Sequence, residues 1–213
     1  MNPDILSQIR EGGILYILLL IAVTMHEFGH AFFADKLGDP LPRLQDRVTI
    51  NPLAHMDTIG TVVLPIITIA LSMGTGFPMV FGWGKPVEIS LSNPKTRKRI
   101  DIIATAGGVA MNLVVAFVSA MLLAAFLLLG WENMQEVALQ SVYINCVLFV
   151  INMIPIPPLD GSRLWSSLLP GRWSYTIERY SRQIMIVLFV LLAMGVLSGP
   201  IAWLNRLFCS GIL

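Results

Sequence analysis

His26, Glu27 and His30 stand in the order H-E-x-x-H, inside TMHEFGHAFFADKLG, residues 24–38. On a helix, positions i and i+4 share a face, so both imidazoles can reach one metal ion. Glu27, next to the first histidine, can take a proton from a water on that ion. Zinc lowers the pKa of such a water to about 7 and readies it for attack on a carbonyl. In a soluble helix the same pattern is often only a solvated face. Here the flanks are apolar, IAVTM before and AFFAD after. A charged side chain at mid-bilayer costs about 2.5–3.5 kcal/mol on insertion scales, so ionisable groups there are functional candidates.

A catalytic zinc takes three protein ligands and keeps one position open. The third candidate is Asp160 in NMIPIPPLDGSRLW, residues 152–165. Pro155, Pro157 and Pro158 remove backbone donors and end a regular helix. Gly161 permits a tight turn, and such a break can aim Asp160 inward. The plainer reading of Asp160 is a cap on the next helix. Asn112, a lone amide in an apolar run, can offer two donors to an oxyanion or bridge two helices. Asn145 and Asn152 read as interhelical glue. His55, in NPLAHMD, is a satisfied loop histidine or a ligand for a second ion or a substrate.

These groups need a scaffold in lipid. The chain has 213 residues, 55% hydrophobic and 13% charged, with mean hydropathy +0.74. That is an integral membrane protein, in contact with the bilayer. The apolar segments are roughly 14–34, 59–81, 102–130, 137–156 and 183–205. The expected fold is an all-α polytopic membrane protein with about five to six membrane segments. Residues 59–81 are expected to re-enter rather than span, because a full span would part the two motifs across the bilayer. Short strands are expected at the cytoplasmic face, at 43–50 and 82–90, with Pro86 confining the second to an edge. The whole chain, 1–213, reads as one domain with a catalytic core at about 14–165 and a C-terminal helix at about 183–205. No repeat or low-complexity tract occurs, and no cleavable signal peptide is expected, since the first apolar run is too long.

A net charge of +1 gives no footing for nucleic-acid binding. Cys146 and Cys209 lack the spacing of a zinc ribbon or a disulfide scaffold and read as small buried residues. Twelve of the 14 Lys and Arg fall at 36–47, 85–99 and 163–182. If these stretches share a side, that side is cytoplasmic.

HEFGH together with NMIPIPPLDG resembles the site-2 protease family of intramembrane zinc metalloproteases. ATAGGVAMNLVVA (104–116) is similar to a further family helix, with Gly108 where the family usually has proline. TINPLAHMDTIGTVVLP (49–65) and FGWGKPVEI (81–89) resemble its compact bacterial branch. The resemblance implies one zinc per chain on His26, His30 and Asp160, with Glu27 as general base. It implies Asn112 near the substrate or oxyanion and Asn152 as the polar residue before the Asp-Gly turn. It implies cleavage within or next to transmembrane segments of anchored proteins, in a bacterial inner membrane with the site toward the cytoplasm. That activity would serve regulated proteolysis or clearance of signal remnants. The alternatives are a catalytically silent homologue that binds membrane proteins, against which the intact Glu27 speaks, and a metal transporter. No appended PDZ or CBS module is expected.

Overall fold

The computed structural model describes residues 3–72, 80–90 and 95–166, with Arg179, Tyr180, Gln183, Val187, Gly199 and Trp203 as isolated positions. The expected helix at about 183–205 lies outside the described residues. In chain order the helices are α1 (Pro3–Lys36), the single turns α2 (Leu41–Leu44) and α3 (Pro52–His55), then α4 (Leu64–Ser72), entered through a π-helical stretch, Thr58–Val63. They are followed by α5 (Arg97–Leu129), α6 (Glu132–Asn152) and α7 (Asp160–Ser166).

Among the described residues three helices are long and apolar enough to cross a membrane: α1, α5 and α6. The 34 residues of α1 extend about 51 Å at 1.5 Å each, longer than a hydrocarbon core of about 30 Å. Many large apolar residues of α5 point outward, among them Phe117, Met121 and Leu128. Lipid rather than protein suits that surface.

Local chemistry sets the reversals. Gly130 ends α5 at φ 69°, and the Trp131 N–H returns to Phe126 O at 3.0 Å. The Trp131 ring stacks on Phe126, completing a glycine-type helix end that sends α6 back along α5. Small residues then let α1 run antiparallel to α5. Gly29 of α1 meets the backbone of Gly107 and Gly108 so closely that a Cβ there would overlap it. Close approach through small residues is how membrane helices gain packing. The core on the other side of α1 joins Leu18, Leu19, Ala22 and Val23 to Ile144 of α6. Cys146 is buried beside Ala116 and Val142 and is disulfide-bonded, rather than the plain buried thiol the sequence leads one to expect. Cys209 lies outside the described residues.

The 58–90 stretch doubles back. Thr58–Ser72 is 15 residues, about 22 Å, too short to cross. After it, the Phe81 N–H donates to Thr68 Oγ1 at 3.2 Å and the Trp83 N–H to Gly60 O at 3.0 Å. The returning chain therefore lies alongside the helix it left, in keeping with re-entry.

Neither expected strand forms. At 43–50, proline in the first turn of α2 favours a helical start, and Asp46 at φ 53° then turns the chain. Residues 80–90 are extended but have no neighbouring strand among the described residues. Their backbone groups bond one at a time to side chains and helix ends, so no ladder develops.

Candidate metal centre

α1 carries His26, Glu27 and His30 on its buried side, at 9, 8 and 6% exposure. Their i and i+4 spacing brings the two Nε2 atoms to 3.0 Å. Asp160 Oδ2, at the start of α7, stands 2.9 Å from His26 Nε2 and 3.1 Å from His30 Nε2. α7 reaches this point because α6 stops before Pro155, Pro157 and Pro158. Its Gly161 is pressed against the carbonyls of Met153 and Ile154, where a side chain would not fit. Arg163 of α7 is paired with Asp101 of α5, which pins the turn from its other side.

The outer nitrogens of both imidazoles are taken. His30 Nδ1 lies 3.0 Å from Ala104 O, which can only accept, so Nδ1 carries the proton. His26 Nδ1 lies 2.8 Å from Asn112 Oδ1. The Asn112 amide nitrogen donates to Ala22 O at 3.3 Å and to Asn145 Oδ1 at 3.2 Å, which leaves its oxygen to accept from His26. Both Nε2 lone pairs therefore face Asp160. Two lone pairs and a carboxylate about 3 Å apart need a cation among them. Tetrahedral zinc with bonds of about 2.0–2.1 Å separates its ligands by roughly 3.3 Å, so this set fits the ion with small adjustment.

The remaining side of the cluster opens into a cavity of about 450 Å³ between α1, the extended segment and the end of α6. Glu27, Asn152, Gly82, Gly84 and Val87 line it, with Val23, Leu148, Ile151 and Pro158 as its apolar wall. Glu27 Oε2 accepts the Val87 N–H at 3.1 Å and lies 4.0 Å from Arg47. Along the extended segment, Phe81, Trp83, Lys85 and Val87 turn their amides inward. The amides of Gly82 and Gly84 have no partner among the described residues.

Comparison with known proteins gives the family. A model of Peptidase family M50 matches residues 128–195, which include Asp160 but not the histidine pair. YwhC of Bacillus subtilis (strain 168), named as a candidate zinc metalloprotease, is 33% identical over 186 residues, 83% of this chain and 80% of its own. The chain belongs to peptidase family M50. This is the site-2 protease family that the motifs resemble, and the protein is an integral-membrane zinc metalloprotease. Rip2 of Mycolicibacterium smegmatis, also named as a candidate zinc metalloprotease, is 33% identical over 165 residues, 74% of this chain and 59% of its own. Rip2 of Mycobacterium tuberculosis (strain ATCC 25618 / H37Rv) is 29% identical over 201 residues, 91% of this chain and 72% of its own. No solved structure matches.

Of the residues singled out in this M50 chain, His26, His30 and Asp160 meet, with Glu27 beside them. Asn112 is fully buried and does not line the cavity; its amide is spent on His26, Ala22 and Asn145 rather than turned toward an oxyanion. Asn145 is glue, as expected. Asn152 faces the cavity instead. His55 is 1% exposed, its Nε2–H donates to Thr49 O at 2.7 Å, and it lies apart from the cluster. Three groups escaped the sequence reading: Arg47, the Val87 amide and Ala104 O. The two backbone groups have no sequence signal, and Arg47 looks like any loop cation.

Proposed function

We propose that this M50 protease hydrolyses peptide bonds within or next to the membrane-spanning segments of anchored proteins. Its zinc is held by His26, His30 and Asp160, one ion per chain, and its general base is Glu27. The observation that carries the reading is the convergence of the three ligand atoms at 2.9–3.1 Å with both outer imidazole nitrogens already engaged. Zinc held by His26, His30 and Asp160 would polarise a carbonyl and acidify a bound water.

The side chains have separate tasks. Asn112 and Ala104 O hold each imidazole in the tautomer that binds metal. Glu27 is anchored through Oε2, which leaves Oε1 to take a proton from water and pass it to the leaving amide nitrogen. A helical substrate hides its carbonyls in its own hydrogen bonds and must unwind to be cut. The unpartnered amides of Gly82 and Gly84 form an edge on which it can dock as a strand. The working core is residues 14–165 of a single 1–213 domain. The face with Lys36, Arg43, Lys85, Lys95, Lys98 and Arg163 is toward the cytoplasm of a bacterial inner membrane, and Arg10 is near the opposite end. Such cleavage suits regulated release of an anchored protein or removal of signal remnants.

Metal analysis and hydrolysis of a tethered single-span substrate test this together. Glu27→Gln should keep its zinc and lose turnover, and Asp160→Ala should keep its helices and bind zinc weakly. Near-normal hydrolysis by Glu27→Gln removes the base assignment, and undiminished zinc in Asp160→Ala removes the third ligand. N-methylation of alternate substrate amides near the cut should slow cleavage far more than methylation of the amides between them. Equal effects in both registers exclude strand docking.

A further inference from the structure

Arg47 is a loop residue, yet it is 4% exposed. Asp46 before it takes a left-handed conformation, φ 53°, that turns the chain at this point. Nη1 of Arg47 donates to Ala54 O at 2.7 Å, and Nη2 donates to Lys85 O. Nη2 also stands 4.0 Å from Glu27 Oε2. One planar group thus touches three separate parts: the 47–55 loop, the extended segment and the α1 carboxylate. Lys85 closes the circuit, since its N–H donates to His55 O at 2.8 Å. Nε of Arg47 is buried and has no partner among the described residues. A buried, incompletely paired cation is a costly way to fill space, and apolar residues do that better. What the site gains from arginine is the rigid fork.

We propose that Arg47 is a positioning residue that sets which peptide bond is cut. It joins Glu27 to the docking edge through Lys85 O, so that edge, base and metal ligands keep one register. The inference rests on Glu27 as base and the Gly82–Gly84 backbone as docking edge. A docked strand moves without exchanging its faces only in two-residue steps, about 6.6 Å. Looseness between edge and base is therefore read directly as misplacement of the scissile carbonyl, and about 1 Å of misplacement costs about 10²-fold in rate.

The test uses the full zinc-loaded chain in liposomes with a single-span peptide that it cleaves. Arg47→Met keeps an apolar stem and loses the fork, whereas Arg47→Lys keeps the charge and a single donor head. Both variants should hold one zinc per chain with unchanged helix content. At saturating substrate Arg47→Met should be about 100-fold slower and Arg47→Lys about 10-fold slower, in line with graded misplacement. Mass spectrometry should find additional cuts two bonds from the native site with both variants. If Arg47→Met does not fold, the cut sites of Arg47→Lys decide. Normal rate at a single bond overturns the inference. So does loss of zinc and helix content in step with activity in both variants, the mark of a purely structural arginine. Glu27→Gln is run alongside. If it still hydrolyses, the base assignment fails by itself; if it is silent while Arg47→Met is normal, only the role of Arg47 falls.

Discussion

The Asn112 side-chain oxygen on α5 lies 2.8 Å from Nδ1 of His26 on α1, and this contact spans the same helix pair that Gly29 and Gly108 bring together. It converts an amide in an apolar helix into a support for a metal ligand. Asn112 in turn is held by Ala22 O and Asn145, and Asn145 donates to Ser141 O at 2.9 Å. The cost of burying these polar groups is offset because each finds a partner.

Removing that support should loosen the metal without dissolving the fold. Asn112→Ala is expected to lower zinc affinity roughly 10–100-fold, the usual effect of losing a partner behind a ligating histidine. Competition with a chromophoric chelator measures it, with circular dichroism as the check on folding. Unchanged affinity in a folded variant shows that His26 is oriented by something else.

Gly108→Ala tests the helix crossing at the metal depth. Its new Cβ would run into the His30 ring, whereas a Cβ on Gly13 meets nothing within 4 Å. Overpacking of this kind typically costs about 1–3 kcal/mol. Gly108→Ala should therefore melt earlier and carry less zinc, and Gly13→Ala should do neither. Equal behaviour of the two variants counts against close packing at His30.

His55 predicts a pH dependence of stability. Burial pulls its pKa below the usual 6.5; the Thr49 carbonyl opposes this, Arg47 adds to it and Glu27 opposes it, with a net decrease. Nδ1 is buried with no partner among the described residues, so a proton there would find no acceptor among them. A histidine with a depressed folded pKa binds more protons when unfolded. Its contribution is full above about pH 6.5 and is lost as pH falls through that value, by at most roughly 1.4 kcal/mol per pH unit. Melting of the zinc-loaded protein between pH 7.5 and 5.5 should show this loss. In His55→Gln the slope should be shallower; an identical slope assigns the loss to other groups.

Orientation can be read from single cysteines placed in a chain whose two native cysteines have been replaced. Lys95 precedes α5 and Glu132 begins α6, both exposed, at opposite ends of the α5–α6 hairpin. Lys95→Cys should react with an impermeant thiol reagent from the cytoplasmic side and Glu132→Cys from the other. The reverse pattern inverts the topology, and labelling of both from one side is incompatible with α5 as a span.

By itself the sequence determines the features that depend on neighbours along the chain. His26, Glu27 and His30 share a helix face because 3.6 residues make a turn. Membrane helices are legible from the length of apolar runs, and Asp160 is placed after a break by prolines that cannot continue a helix. The tertiary structure decides what depends on the rotation and approach of separate elements. Asn112 could have faced an oxyanion or a helix; the α1–α5 crossing through Gly29 and Gly108 sets it against His26. Residues 43–50 and 82–90 carry β-branched alternation, but a strand needs a neighbour at ladder distance, and the turn at Asp46 and the packing of 80–90 on α1 and α4 supply none. Arg47 carries no mark in its flanking residues. Its burial beside Glu27 comes from the return of the chain at Lys85, 38 residues further on, and a contact made by such a long closure has no periodicity for the sequence to display.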